Sequence, residues 1–250
     1  MIKRLVLIFL FTPFLAFPQK EIPYQVGEYS AFDVSFGAII VGHAELEIVE
    51  EKLIDSTSTF HIVGKGKTAY FFDWFFKVRD VYETFLDTSK LLPIKFIRDI
   101  NEGPYSKKQN YFFHHSDSIV KHNDTTYKIP FNSQDMLSAF FYARTFNKEE
   151  VKKTSSFFVP IFMDEENYFL EVSYLNNEVI ETEFGKVDCM VFKPKMQEGR
   201  VFEDGEEMKI WISDDKNHLL MKVETKIWAG TIKAVLADYK ELKFPLSIIQ

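Results

Sequence analysis

Alternation of apolar and polar positions is clearest at Met208–Tyr239, MKIWISDDKNHLLMKVETKIWAGTIKAVLADY. Met208–Ser213 is rich in β-forming residues, and Asp214–Asn217 is a polar turn cluster. From Leu219 the side chains divide. Leu219, Met221, Val223, Thr225 and Ile227 fall on one face, and Leu220, Lys222, Glu224, Lys226 and Trp228 on the other. Ala229-Gly230 marks a tight turn, and Thr231–Tyr239 carries Ile232, Ala234 and Leu236 on one face. A period of two with a mostly polar second face predicts three antiparallel strands, one side on a core and one in water.

The same period recurs through the chain. Strands are expected at Glu28–Phe36, Ile39–Val49, Ser58–Gly64, Val78–Asp87 and Leu91–Ile100. Gly42 inside the second marks a bulge or a close backbone approach. Gln109–His114, Ser118–His122 and Thr126–Ile129 are shorter candidates, and Gly103-Pro104 is a turn. Ser133–Phe146 breaks the pattern: Met136, Phe140 and Ala143 follow helical spacing, with Leu137 and Phe141 beside them. Ser133 is the expected N-cap, with Asp135 in the first turn where the helix dipole favours it. Asn147–Ser156 reads as a polar connection. β structure then resumes at Phe157–Met163 and Tyr168–Leu175, Asn176-Asn177 reads as a turn pair, and Glu178–Phe184 with Val187–Lys193 forms a hairpin. A charged loop, Met196–Glu207, leads into the final meander. Roughly a dozen strands around one main helix predict a mainly β fold: a large curved antiparallel sheet or incomplete β-barrel with the helix packed against it.

The N-terminus changes the picture. Lys3-Arg4 precedes an apolar run at Leu5–Phe17, too short for a membrane-spanning helix, which needs roughly 20 residues. This predicts a secretory signal peptide at residues 1–17 followed by a single β-rich domain at 24–243, with no integral membrane span after cleavage. An uncleaved anchor is the competing reading. The expected location is the periplasm or cell envelope. Loss of Lys3 and Arg4 leaves 28 basic against 37 acidic residues, a net charge of −9, which argues against nucleic acid and anionic membrane surfaces as partners. Cys189 is the only cysteine, so core burial alone must hold the domain together.

Four segments together carry a resemblance: FDVSFGAIIVGHAELEI within Gly27–Ile48, FKVRDVYETFLDTSKLLPIKFIRDINEGPY at Phe76–Tyr105, QDMLSAFFYAR at Gln134–Arg144, and FGKVDCMVFKPKMQEG with WISDDKNHLLMKVETKIWAGTIKAVL within Phe184–Leu236. In this order they resemble DUF3108, a family of exported bacterial proteins of unknown function. The resemblance implies export and carries no activity or catalytic residue. Ile210–Glu224 alone is similar to periplasmic lipoprotein carriers, half-barrels whose helices cover the concave side and which bind acyl chains. Leu219-Leu220 stands here in place of the proline usual after that turn, so the likeness bears on architecture more than on ligand.

Residue patterns that would carry chemistry are few. Gly64-Lys65-Gly66-Lys67-Thr68 ends like a phosphate loop, but position 61 is His61 where the motif needs glycine, and aromatics follow where it needs a helix. His114-His115-Ser116-Asp117, with His122 beyond, is the densest group of ligand-type residues, yet neighbours on a strand point to opposite faces. No metal or other cofactor is expected. Cys189 shares a strand face with Val187 and Val191 and reads as a buried small hydrophobe. Asp73, Asp80 and Asp135 each adjoin apolar residues, and burial of one would raise its pKa.

The most unusual composition is Tyr70–Phe76, YFFDWFF, with six aromatic residues in seven. Either its rings complete the core, the reading favoured for Trp74 itself, or they rim an apolar cavity. Tyr70, Phe71, Trp74, Phe75 and Phe140 are therefore the candidate ligand contacts. Phe32, Val34, Phe36, Met221 and Val223 are the candidates for the concave face beneath the helix. The function expected is non-enzymatic binding of a lipid-like or other apolar ligand, or of an envelope protein partner, in a sheet concavity. The alternatives are an envelope hydrolase with a scattered Asp/His/Arg site and a purely structural protein.

Overall fold

The computed structural model describes residues 21–195 and 207–249. The expected leader at 1–17 and the connection at 196–206 lie outside the described residues. The strands are β1 (Tyr29–Phe36), β2 (Ile39–Ile54), β3 (Thr57–Thr68), β4 (Arg79–Asp87), β5 (Pro93–Glu102), β6 (Tyr105–His114), β7 (Ile119–His122) and β8 (Thr125–Lys128). Two helices follow, α1 (Met136–Arg144) and α2 (Lys148–Thr154). The chain continues as β9 (Ser156–Met163), β10 (Glu166–Thr182), β11 (Gly185–Lys195), β12 (Glu207–Ser213), β13 (Leu220–Ile227) and β14 (Gly230–Lys240).

The fourteen strands of the described residues form one antiparallel sheet in the order β8-β7-β6-β5-β4-β3-β2-β1-β14-β13-β12-β11-β10-β9. The chain grows outward from β1 paired with β14, so the final meander lies in the middle of the sheet. The sheet is not closed, because β8 and β9 remain its two edges. They are nevertheless drawn together. Asn167 Nδ2 donates to the Lys128 carbonyl at 2.8 Å, and Phe162 of β9 packs with Tyr111, Phe113 and Tyr127. Gln134 bridges the gap: its N–H donates to the Pro160 carbonyl and its carbonyl accepts from the Phe162 N–H, both at 2.8 Å. Pro160, which lacks an N–H, sits on this edge strand, where proline is tolerated.

The segment that fills the gap continues into α1, which packs between β4 and β9. The helix is apolar on several sides, as expected of one that is enclosed. Phe141 joins Tyr24, Ile48, Ile62 and Leu86 of the β2–β4 side, and Leu137 joins the Phe96 and Tyr111 cluster. Gly64 of the apparent phosphate loop lies within β3, and a Cβ there would stand 3.3 Å from Leu137. Its absent side chain makes room for the helix.

Four local expectations are corrected. The N-cap of α1 is Asp135, not Ser133: its carboxylate accepts from the Leu137 and Ser138 N–H groups at 2.8 and 2.9 Å, and Ser138 Oγ accepts from the Asp135 N–H. The polar connection holds a second helix, α2, capped by Asn147, with Glu149 and Glu150 in its first turn and Lys152 and Lys153 in its last. That charge order suits the helix dipole. Asn176-Asn177 is no turn: β10 runs through it with a bulge, and Asn177 bonds the side chains of Asp188 and Asp214. The second face of β13 is not wholly wet: Leu220 packs against two apolar clusters, one of which buries Met221 completely.

Candidate functional site

Strand alternation gives β11 two apolar faces. Val187, Cys189 and Val191 pack with Trp211, Phe32, Met221 and Leu236, while Met190 and Phe192 point the other way. On β12 their cross-strand partners are Ile212 and Ile210. This second face meets Phe157 of β9, Val172 of β10, Val151 of α2 and Phe140 of α1. The large rings and branched side chains do not fill the space between sheet and helices. A cavity of about 250 Å³ remains, walled by these residues together with Met136, Ala139 and Ala143. Edge-to-face contacts fix its aromatic wall, Phe146 to Phe157 at 4.9 Å and Phe157 to Phe192 at 6.1 Å.

One end of the cavity is polar. Arg144, Lys148 and His218 stand there, and Phe146, Lys148 and His218 also line an open polar cleft beyond. Arg144 and Lys148 are engaged by Glu28 and Asp214 respectively. His218 lies in the left-handed region, with φ 46°. Its Nδ1 is 2.6 Å from the Arg144 carbonyl, which can only accept, so the proton sits on Nδ1. Burial pushes its pKa below the ordinary imidazole value. The ring is therefore neutral near pH 7 and keeps Nε2 as an acceptor.

Of the five candidate ligand contacts, only Phe140 lines the cavity. Tyr70, Phe71, Trp74 and Phe75 belong to the turn between β3 and β4, and Trp74 is 82% exposed, so it is neither core nor cavity wall. Register puts this turn at the other end of the sheet from His218. Gly42 pairs with Thr68 and Phe36 with Ile232, which places residues 70–76 near the β13–β14 turn, whereas His218 lies in the β12–β13 turn. Of the residues expected on the concave face, Val34 and Val223 share the cavity's face through the pairings Val34–Ala234, Ala234–Val223, Val223–Ile210 and Ile210–Phe192, but none of the five walls the cavity: Phe32 and Met221 pack in a neighbouring cluster, and Phe36 is exposed.

The remaining reactive groups are structural in their surroundings. Cys189 is buried, and burial pushes its thiol up to about 12. Asp135 is buried and raised to about 6 by loss of solvent, but its oxygens are taken by the α1 cap and by the Thr84 hydroxyl. Asp73 is held below its ordinary range by hydrogen bonds from Arg79 and Thr68. Asp80 accepts from the Asn101 N–H. His115 bonds the Pro93 carbonyl and His122 the Asn110 carbonyl, and among the described residues no three His, Cys, Asp or Glu side chains gather in a metal-binding group. Among the described residues no helix is long and apolar enough to cross a membrane.

The model of the family described as "Protein of unknown function (DUF3108)" matches residues 31–237. The chain belongs to the DUF3108 family. This is the family that the four segments resemble. No curated protein matches the sequence. Among solved structures, this DUF3108 chain is similar to the beta-barrel-like protein of domain of unknown function DUF1849 from Brucella abortus, with a TM-score of 0.54 at 9% identity, covering 88% of this chain and 99% of that one. At that identity the likeness bears on the fold alone, and it agrees with the open, barrel-like sheet.

Proposed function

We propose that this DUF3108 protein is exported and binds a lipid-like ligand in the cavity between α1, α2 and β9–β12, without catalysing a reaction. The cavity carries this reading. Its walls are apolar on the sheet side and the helix side alike, and its polar groups gather at one end, which is the build of a site for a ligand with an apolar body and a polar tip. Apolar cavities of about 150 Å³ already take up benzene, and the larger space here suits a single acyl chain. His218 gives the ligand's polar end an acceptor, which favours a hydroxyl or a protonated acid. Binding is favoured over hydrolysis because the residues lining the cavity include no carboxylate, and its two cations, Arg144 and Lys148, are engaged by Glu28 and Asp214. Export to the periplasm or envelope rests on the charge order and length of residues 3–17.

Titration with a fluorescent fatty acid tests the reading. Ala143→Phe fills the cavity from α1. It should abolish saturable binding while leaving the melting temperature within a few degrees of the parent. Unchanged affinity in this variant would remove the cavity as the site and favour a partner protein or a structural role.

A further inference from the structure

The aromatic turn that does not serve the cavity belongs to a larger feature. Antiparallel pairing brings the β1–β2, β3–β4, β5–β6 and β13–β14 turns to one end of the sheet. Each presents large apolar or aromatic side chains to solvent: Ile39, Tyr105, Trp228 and, on the β3–β4 turn, Tyr70, Phe71, Trp74 and Phe75. Trp228 is 85% exposed and Tyr70 93%. Monomer surfaces rarely gather so many such side chains in one place. Some rings of the rim are seated, Phe76 against Gly103 and Phe36 against Gly230.

The polar groups of the β3–β4 turn are turned inward. The Phe72, Asp73, Phe75 and Phe76 N–H groups donate to the Ala69 or Phe72 carbonyls at 2.8–3.3 Å. Asp73, the one charge in the run, accepts from Thr68 Oγ1 at 2.6 Å and from Arg79 at 3.0 and 2.5 Å. The run Tyr70–Phe76 thus offers rings without an unpaired charge of its own, Lys77 being the next exposed charge along the turn, and its N–H groups at these positions need no water. That is the condition for entering a low-dielectric layer. Tryptophan and tyrosine favour the boundary between headgroups and hydrocarbon. A net charge of −7 opposes an anionic surface.

We propose that this end of the sheet is a docking surface for a lipid bilayer with neutral headgroups, with Tyr70, Phe71, Trp74, Phe75 and Trp228 seated in the interfacial layer. The proposal stands apart from the cavity, which lies toward the other end. The test is sedimentation of the purified protein with phosphatidylcholine vesicles, with and without added salt. Binding should be insensitive to salt, and the double variant Trp74→Ala, Phe75→Ala should weaken it at least roughly tenfold, since burial of each ring is worth more than one decade in affinity. Both side chains are exposed, so the melting temperature should hold. Binding confined to anionic vesicles and lost in salt would overturn the proposal. So would absence of vesicle binding, including the case in which the parent self-associates through these residues and the variant does not.

Discussion

Arg144, the last residue of α1, forms a buried ion pair with Glu28 at the entry to β1, with Nη1 to Oε1 at 2.5 Å and Nη2 to Oε2 at 3.1 Å. The guanidinium also donates to the Asn217 carbonyl from Nε and Nη2, at 3.2 and 2.9 Å. One side chain thus ties the helix to the first strand and to the β12–β13 turn. Loss of either partner strands a charge out of water. Glu28→Ala should cost about 3–5 kcal/mol in denaturant unfolding. The pair Glu28→Leu, Arg144→Met should recover part of that loss, because neither charge then remains. Strictly additive single effects in the double-mutant cycle would refute a coupled buried pair.

Asp135 predicts a pH dependence of opposite sense to most carboxylates. Burial raises its pKa from 3.8 to about 6 against the cap hydrogen bonds that favour the charge. Between those values the folded state binds more protons than the unfolded state. Its contribution to stability is therefore full below about pH 4 and is lost as pH rises through about 6. Asp135→Asn keeps an oxygen to accept from Leu137 and Ser138 and removes the titration. Urea midpoints measured from pH 4.5 to 7 should lose one downward component in this variant. Identical pH profiles in parent and variant would show that Asp135 keeps an ordinary pKa.

Much of the sheet was readable because alternation and turn chemistry act locally. The Met208–Tyr239 meander, the face shared by Cys189, Val187 and Val191, and the close approach at Gly42 all follow from it; a Cβ on Gly42 would lie 2.6 Å from the Lys67 carbonyl. The second helix was not readable by periodicity, because Val151 is its one apolar residue, although its cap and charge order were present. Asn176-Asn177 misled because side-chain bonds to Asp188 and Asp214 hold it in a strand. Tyr70–Phe76 misled because composition does not say whether rings face a core or solvent. Of the cavity, Phe140 was identified. Met190, Phe192, Ile210 and Ile212 were missed, although apolar residues on both faces of β11 signal a sheet covered on both sides.

Asp214 links the charge pattern of α2 to access to the cavity. It accepts from Lys148 Nζ at 2.8 Å, Lys152 Nζ at 2.6 Å and Asn177 Nδ2 at 2.7 Å. The two lysines are four residues apart and so share one side of α2, the helix that contributes Lys148 and Val151 to the cavity wall. Burial pushes the Asp214 carboxyl up, but the two lysines and Asn177 outweigh it and hold the group well below its ordinary range. The stability it contributes is present above the unfolded pKa near 3.8 and is lost as pH falls toward the folded one. Asp214→Ala should release α2 from the β12–β13 turn while leaving the sheet intact. If α2 gates the cavity, a bound fluorescent fatty acid should then dissociate about tenfold faster, the equivalent of one charge-assisted hydrogen bond of about 1.4 kcal/mol. Thermal unfolding of the sheet should shift by only a few degrees. An unchanged dissociation rate would mean that ligand enters past α1 or the sheet edge, and that Asp214 serves only to seat the second helix.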